Sequence, residues 1–208
     1  MYSGEKLNSI SHLIGTILAL IGFGVLLTLA IQEGHWRIIL SFTVFGLTLI
    51  MLYSMSTLYH SFRTSSLKRC FQKLDHACIY LLIAGSYGPY MLLSLKGDDG
   101  LLMLAVVWAL AIVGLALDLL VSKRIEWLQV IIYLAMGWVC ALKYPALMLA
   151  IPGPGITWLT IGGVAYTVGV IFYVLDDMKR LKHAHGIWHF FVLAGSISHF
   201  ISIAFYVR

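Results

Sequence analysis

The sequence predicts an all-α fold of seven membrane-spanning helices, and three observations carry that expectation: an apolar composition, long stretches nearly free of charge, and basic residues gathered in the gaps. Of 208 residues, 61% are apolar and 11% charged, with a mean hydropathy of +0.93, whereas a soluble domain carries charge on roughly a quarter of its residues. Spans of about 20 residues each leave almost nothing over, so one membrane domain is expected across residues 1–208. The formal net charge of +5 does not point to nucleic acid, because the basic residues occupy short gaps rather than a patch interleaved with aromatics. Cys70, Cys78 and Cys140 include no closely spaced pair, so they read as free thiols.

Stretches without Asp, Glu, Lys or Arg cover residues 7–32, 38–62, 76–95 and 127–142, and each is long enough to hold a spanning helix. The first is expected to be a retained span rather than a cleaved signal, since it is long and has no small-residue cleavage site. Residues 100–122 are interrupted only by Asp118 and supply the fourth span. The fifth, 127–142, has the shortest uncharged core, and Lys143 must snorkel. Pro145, Pro152 and Pro154 then predict a loop, with a sixth helix following it up to Leu175. Residues 183–207 make the seventh. Asp75 is expected to open the third helix, and His35, His76 and His183 to adjoin gaps or helix ends. Asp118, near Lys123 and Arg124, is expected to be solvated at the interface.

The gaps alternate between the two faces, so counting Lys and Arg by side selects an orientation. One side has ten (Lys6; Arg63, Lys68, Arg69, Lys73; Lys123, Arg124; Lys179, Arg180, Lys182) and the other has four, Arg37, Lys96, Lys143 and Arg208. The basic side faces the cytoplasm under the positive-inside rule, which puts the N-terminus in the cytoplasm and the C-terminus outside.

Ligand-type residues collect at that cytoplasmic end. Glu5, Asn8 and His12 form one stripe at the start of the first helix. Ser56 and His60 lie one turn apart at the end of the second, Asp75 is at the third, and His185 and His189 stand at i and i+4 in the first two turns of the seventh. Ionisable groups inside a membrane are costly and mark function. Two neutral imidazoles on one helical face can converge on a metal ion, with His60 as third ligand, and three histidines with one open position suit a catalytic zinc site. No carboxylate lies between His185 and His189, so Asp75 is the nearest candidate for a general base, or for an acceptor that orients water at the open position. The bland alternative is a pair of buried histidines hydrogen-bonded between helices. The Glu5, Asn8 and His12 stripe reads more readily as a polar latch between helices. His199 lies roughly 15 Å deeper than His189 and is too far to share the ion.

These residues also form a recognisable set: Glu5-x-x-Asn8-x-x-x-His12, Ser56-x-x-x-His60, Lys73-Leu74-Asp75, and His185-x-x-x-His189 followed by His199. The chain resembles the bacterial hemolysin III branch of the progestin and adipoQ receptor family, over essentially all seven helices. That resemblance implies a seven-helix bundle with a cytoplasmic N-terminus, in a bacterial inner membrane. It also implies zinc held by His60, His185 and His189, with Asp75 contacting water at the metal and Ser56 lining the site. Eukaryotic relatives, the adiponectin receptors, are implicated in hydrolysing the amide bond of ceramide, and the wider superfamily includes alkaline ceramidases. No long cytoplasmic segment precedes the first span, so hormone signalling is not expected to carry over. The expected activity is zinc-dependent hydrolysis of a lipid amide or ester, with membrane lipids as partners. The rival readings are a non-catalytic lipid-sensing regulator and a pore-forming lysin. The latter fits poorly with an outer half that is nearly all apolar.

Overall fold

The computed structural model describes residues 3–63, 66–95, 98–120 and 125–207, apart from the side chains of Ser3, Asp98 and Leu119. It is all-helical, without a strand among the described residues. A short turn, Ser3–Glu5, leads into α1 (Lys6–Glu33), followed by α2 (Trp36–Ser61), α3 (Ser66–Pro89), α4 (Asp98–Leu120), α5 (Glu126–Trp138), α6 (Tyr144–Ala150), α7 (Gly153–Asp177) and α8 (Ala184–Tyr206). Together they make seven helical spans long and apolar enough to cross a membrane, with α5 and α6 sharing the fifth, Glu126–Ala150. Lys96, Lys123, Arg124 and Arg208 of the charge count lie outside the described residues.

The links are short and each has a chemical cause. Gly34 ends α1 at φ 69°, a left-handed conformation that suits glycine, and donates its N–H to the Ala30 carbonyl. One residue later His35 caps α2, its ring accepting from the Arg37 N–H. Three departures from the sequence reading follow from where charge and proline fall. First, α3 begins at Ser66, so Asp75 lies roughly 14 Å inside it and His76 is intrahelical. Lys68, Arg69 and Lys73 had excluded this segment from the apolar count, but their stems allow a charged first stretch to precede the apolar one. Second, Pro145 is not in a loop. A 3-10 turn, Val139–Lys143, follows α5, and Pro145 starts the next helix, where a missing N–H is tolerated. Third, Asp118 is tied to the bundle rather than simply solvated: it accepts a hydrogen bond from Gln129 of α5, and its Oδ2 is buried.

Broken backbone at membrane depth requires partners, since lipid offers none. Tyr87 of α3 supplies them at the end of α5: its hydroxyl reaches the Met136 carbonyl at 2.7 Å and the Gly137 carbonyl at 3.0 Å, and receives the Cys140 N–H at 3.0 Å. Beyond Pro89, which has no N–H to give, the helix widens into a π turn over Tyr90–Ser94.

α3 is the most enclosed span, while the fifth and sixth are the most exposed. α7 packs along α8, α1 along α2, α2 along α3, and α1 closes against α8. Leu149, Leu120 and Leu142 are among many large apolar side chains facing outward, as a lipid-bathed surface requires.

Candidate metal centre

The antiparallel arrangement brings the N-terminal ends of α1 and α8, the C-terminal end of α2 and the first half of α3 together. His60 stands in the last turn of α2, and His185 and His189 on successive turns of α8. One potential ligand atom from each of the three lies within 4.8 Å of the others. Ring centroids are 4.9 Å apart for His60 and His185, 5.1 Å for His60 and His189, and 4.8 Å for His185 and His189. His60 and His189 are buried and His185 is half-buried. Gly186 permits this approach: a Cβ there would strike the Leu7 side chain of α1.

Each ring is held through Nδ1. His60 Nδ1 lies 2.9 Å from Glu5 Oε2, His185 Nδ1 lies 3.0 Å from Asp176 Oδ2, and His189 Nδ1 lies 3.0 Å from Ser11 Oγ and 3.2 Å from the Asn8 carbonyl. Glu5 is itself bound by Asn8 Nδ2 at 2.6 Å and approached by Lys68 at 3.9 Å. Partial burial favours the neutral Glu5 carboxyl, but the hydrogen bonds from His60 and Asn8 outweigh it and hold the pKa down to about 2. His60 Nε2 is buried with no hydrogen-bond partner among the described residues. An orphaned imidazole nitrogen facing two other imidazoles suits a single metal ion, so the donor set fits the group that the sequence suggests.

A cavity of about 190 Å³ begins here, lined by His12, Ser56, Asp75, His185 and His189 among others. Asp75 is buried on it. Ser56 Oγ makes no hydrogen bond among the described residues, whereas Thr57 and Ser61 on the same helix both bond back to the preceding turn. Ser56 therefore has its hydroxyl available to a cavity occupant. The cavity continues away from the metal centre past Tyr87 and Tyr90 to His199, whose position deeper in the bundle agrees with its spacing in α8. His199 packs edge-on to Tyr166, and Gly162 leaves room for its ring.

Sequence reasoning brought the five residues His60, Asp75, Ser56, His185 and His189 to one place, and the fold does the same. It did not identify Asp176 or Ser11. Asp176 lies on α7, nine residues before His185, with no periodic relation to it, and Ser11 is one of several small polar residues in α1. Their only sequence signal was proximity to the ligand-type stretches. The stripe of Glu5, Asn8 and His12 does join helices, as a latch would, but the groups it joins are the histidines themselves. His12 is buried with its ring stacked on His189, centroids 3.5 Å apart and planes 10° apart.

Comparison with known proteins identifies the family. The sequence profile of the family described as haemolysin-III related matches residues 1–200. The hemolysin-3 homolog of Bacillus subtilis (strain 168) is 39% identical over 202 residues, covering 97% of this chain and 93% of that one. Hemolysin-3 of Bacillus cereus is 37% identical over 203 residues, covering 98% and 91%. The human monocyte to macrophage differentiation factor is 29% identical over 201 residues, covering 94% and 81%. A multi-pass helical chain whose match runs through all the segments bearing the histidine cluster belongs to the haemolysin-III related family.

Proposed function

We propose that this chain is a zinc-dependent hydrolase of a lipid amide or ester, forming one domain in a bacterial inner membrane, with its N-terminus and metal centre on the cytoplasmic side. The observation that carries the reading is a cluster of three Nδ1-anchored histidines, two of which, His185 and His189, line one cavity with the buried Asp75 carboxylate and the unbonded Ser56 hydroxyl. A cavity-lining carboxylate beside a transition-metal donor set is the arrangement of hydrolytic rather than purely structural centres.

His60, His185 and His189 would hold the zinc. When bound, it supplies Lewis acidity toward a carbonyl and lowers the pKa of water. Asp75 takes the proton from the attacking water and returns it to the leaving amine or alkoxide. Ser56 offers its hydroxyl to the carbonyl oxygen or to that water. The apolar remainder of the cavity accommodates an acyl chain and keeps bulk water out. A lipid would enter between α5 and α7, which pack sparsely and where the cavity wall includes Gly137, Trp138, Gly163 and Thr167, past the hydrogen bond that Trp138 donates to Thr167.

The test compares wild type and Asp75→Ala in nanodiscs, with zinc content and hydrolysis of fluorescent short-chain ceramide and ester lipids both measured. The expected outcome is unchanged zinc and turnover reduced about 10²- to 10⁴-fold, the range for a general base. Equal turnover in the variant, or none in the wild type on any amide or ester lipid, contradicts hydrolysis. The wild-type failure would favour a non-catalytic sensor that responds to lipid through a shift in packing.

A further inference from the structure

The polar stripe at the start of α1 has a role beyond joining helices. A neutral imidazole carries one proton, and the nitrogen that bears it cannot bind a metal, so a ring becomes a ligand through Nε2 only if Nδ1 is the protonated atom. The partners at Nδ1 decide this. Glu5 Oε2, Asp176 Oδ2 and the Asn8 carbonyl can only accept hydrogen bonds, so each assigns the proton to the Nδ1 it faces. Ser11 could act either way, but its hydroxyl is already donated to the Asn8 carbonyl at 3.0 Å, leaving a lone pair toward His189. All three rings therefore present an Nε2 lone pair at the same time. Two of these three assignments come from the Ser3–Glu5 turn and the first two turns of α1.

The same segment also fixes ring orientation. His12 lies flat against His189 at 3.5 Å and edge-on to Tyr53 at 5.0 Å, which blocks rotation of the His189 ring. Glu5 is kept in place from α1 by Asn8 and from α3 by Lys68. A polar motif about two turns long thereby connects the ends of α1, α2, α3 and α8.

Resting on the metal reading above, we propose that the Glu5, Asn8, Ser11 and His12 stripe is the positioning device of the metal centre. In it Glu5 sets the tautomer and direction of His60, while Asn8, Ser11 and His12 do the same for His189. Asp176 performs the equivalent task for His185 from α7. Glu5, Asn8, Ser11 and Asp176 lie off the cavity lining and act through the ligands, while His12 lines the cavity as well as stacking on His189.

The experiment uses the full chain in nanodiscs, stripped of metal and titrated with zinc against a chelating indicator, with cobalt(II) absorption as a report on ligand number. Wild type, Glu5→Ala, Glu5→Gln and Asp176→Ala are compared, and thermal melting of each metal-free form serves as a control for folding. The expected result is a 10- to 100-fold loss of zinc affinity for Glu5→Ala and Asp176→Ala, the range for removing a ligand's orienting partner. Weakened cobalt bands accompany the loss, and metal-free melting stays unchanged. Glu5→Gln, whose amide oxygen still accepts from Nδ1–H, recovers most of the affinity. If wild type binds zinc and Glu5→Ala binds it equally well, the positioning role is wrong while the metal centre stands. If Glu5→Ala melts earlier without metal and Glu5→Gln restores neither property, Glu5 is a latch between helices and the proposal is overturned. Failure of wild type to bind any metal overturns the metal centre, and this role with it.

Discussion

Ser56 and His60 lie one turn apart, and each keeps a buried polar atom without a hydrogen bond among the described residues. Leaving such an atom unsatisfied costs about 1–3 kcal/mol, so it persists where something else engages it. On the proposed function, a metal would engage His60 Nε2 and the cavity occupant would engage Ser56 Oγ. Ser56→Ala should therefore shift metal-free stability by no more than about 0.5 kcal/mol in a thermal melt, because no bond is lost, while lowering lipid turnover. A large loss of stability would show that the hydroxyl is structural. The pairing of His185 and His189 was legible at this scale because helical spacing is local: i and i+4 places them on one face whatever surrounds them. Their Nδ1 partners were not, since Glu5 and Asp176 reach His60 and His185 across helices, through a register that only packing decides.

At the scale of elements, seven spans could be read from hydropathy alone, because lipid imposes length and composition on every crossing helix. The ends and breaks could not be read this way. α3 starts ten residues before its apolar run, at Ser66, because charged residues with long stems are good helix formers outside the hydrocarbon layer. The fifth span passes through a 3-10 turn and Pro145 because Tyr87, on another helix, receives and supplies the hydrogen bonds that the break leaves over. Tyr87→Phe should strip the Met136 and Gly137 carbonyls of this partner and destabilise the fold by about 1–3 kcal/mol. Melting of the purified variant checks this, and an unchanged midpoint would mean that the break is satisfied elsewhere.

For the whole molecule, the charge asymmetry predicts that the histidine end faces the cytoplasm. Cys70 is an exposed thiol near the start of α3, at that same end, whereas Cys78 is buried. A membrane-impermeant maleimide should label Cys70 in inside-out vesicles and leave it unlabelled in intact cells; the opposite pattern would invert the orientation. The bundle encloses a small, mainly apolar cavity with the histidine cluster at one end. That mainly apolar lining suits a lipid-binding site better than a pore, which needs polar lining throughout. Metal held by three imidazoles, at the C-terminal end of α2 and the N-terminal end of α8, is what the proposed function requires first. X-ray absorption at the zinc edge of purified wild-type protein measures this most directly. The predicted result is one zinc per chain with three imidazole nitrogens at about 2.0–2.1 Å, and absent zinc or sulfur ligation would contradict it.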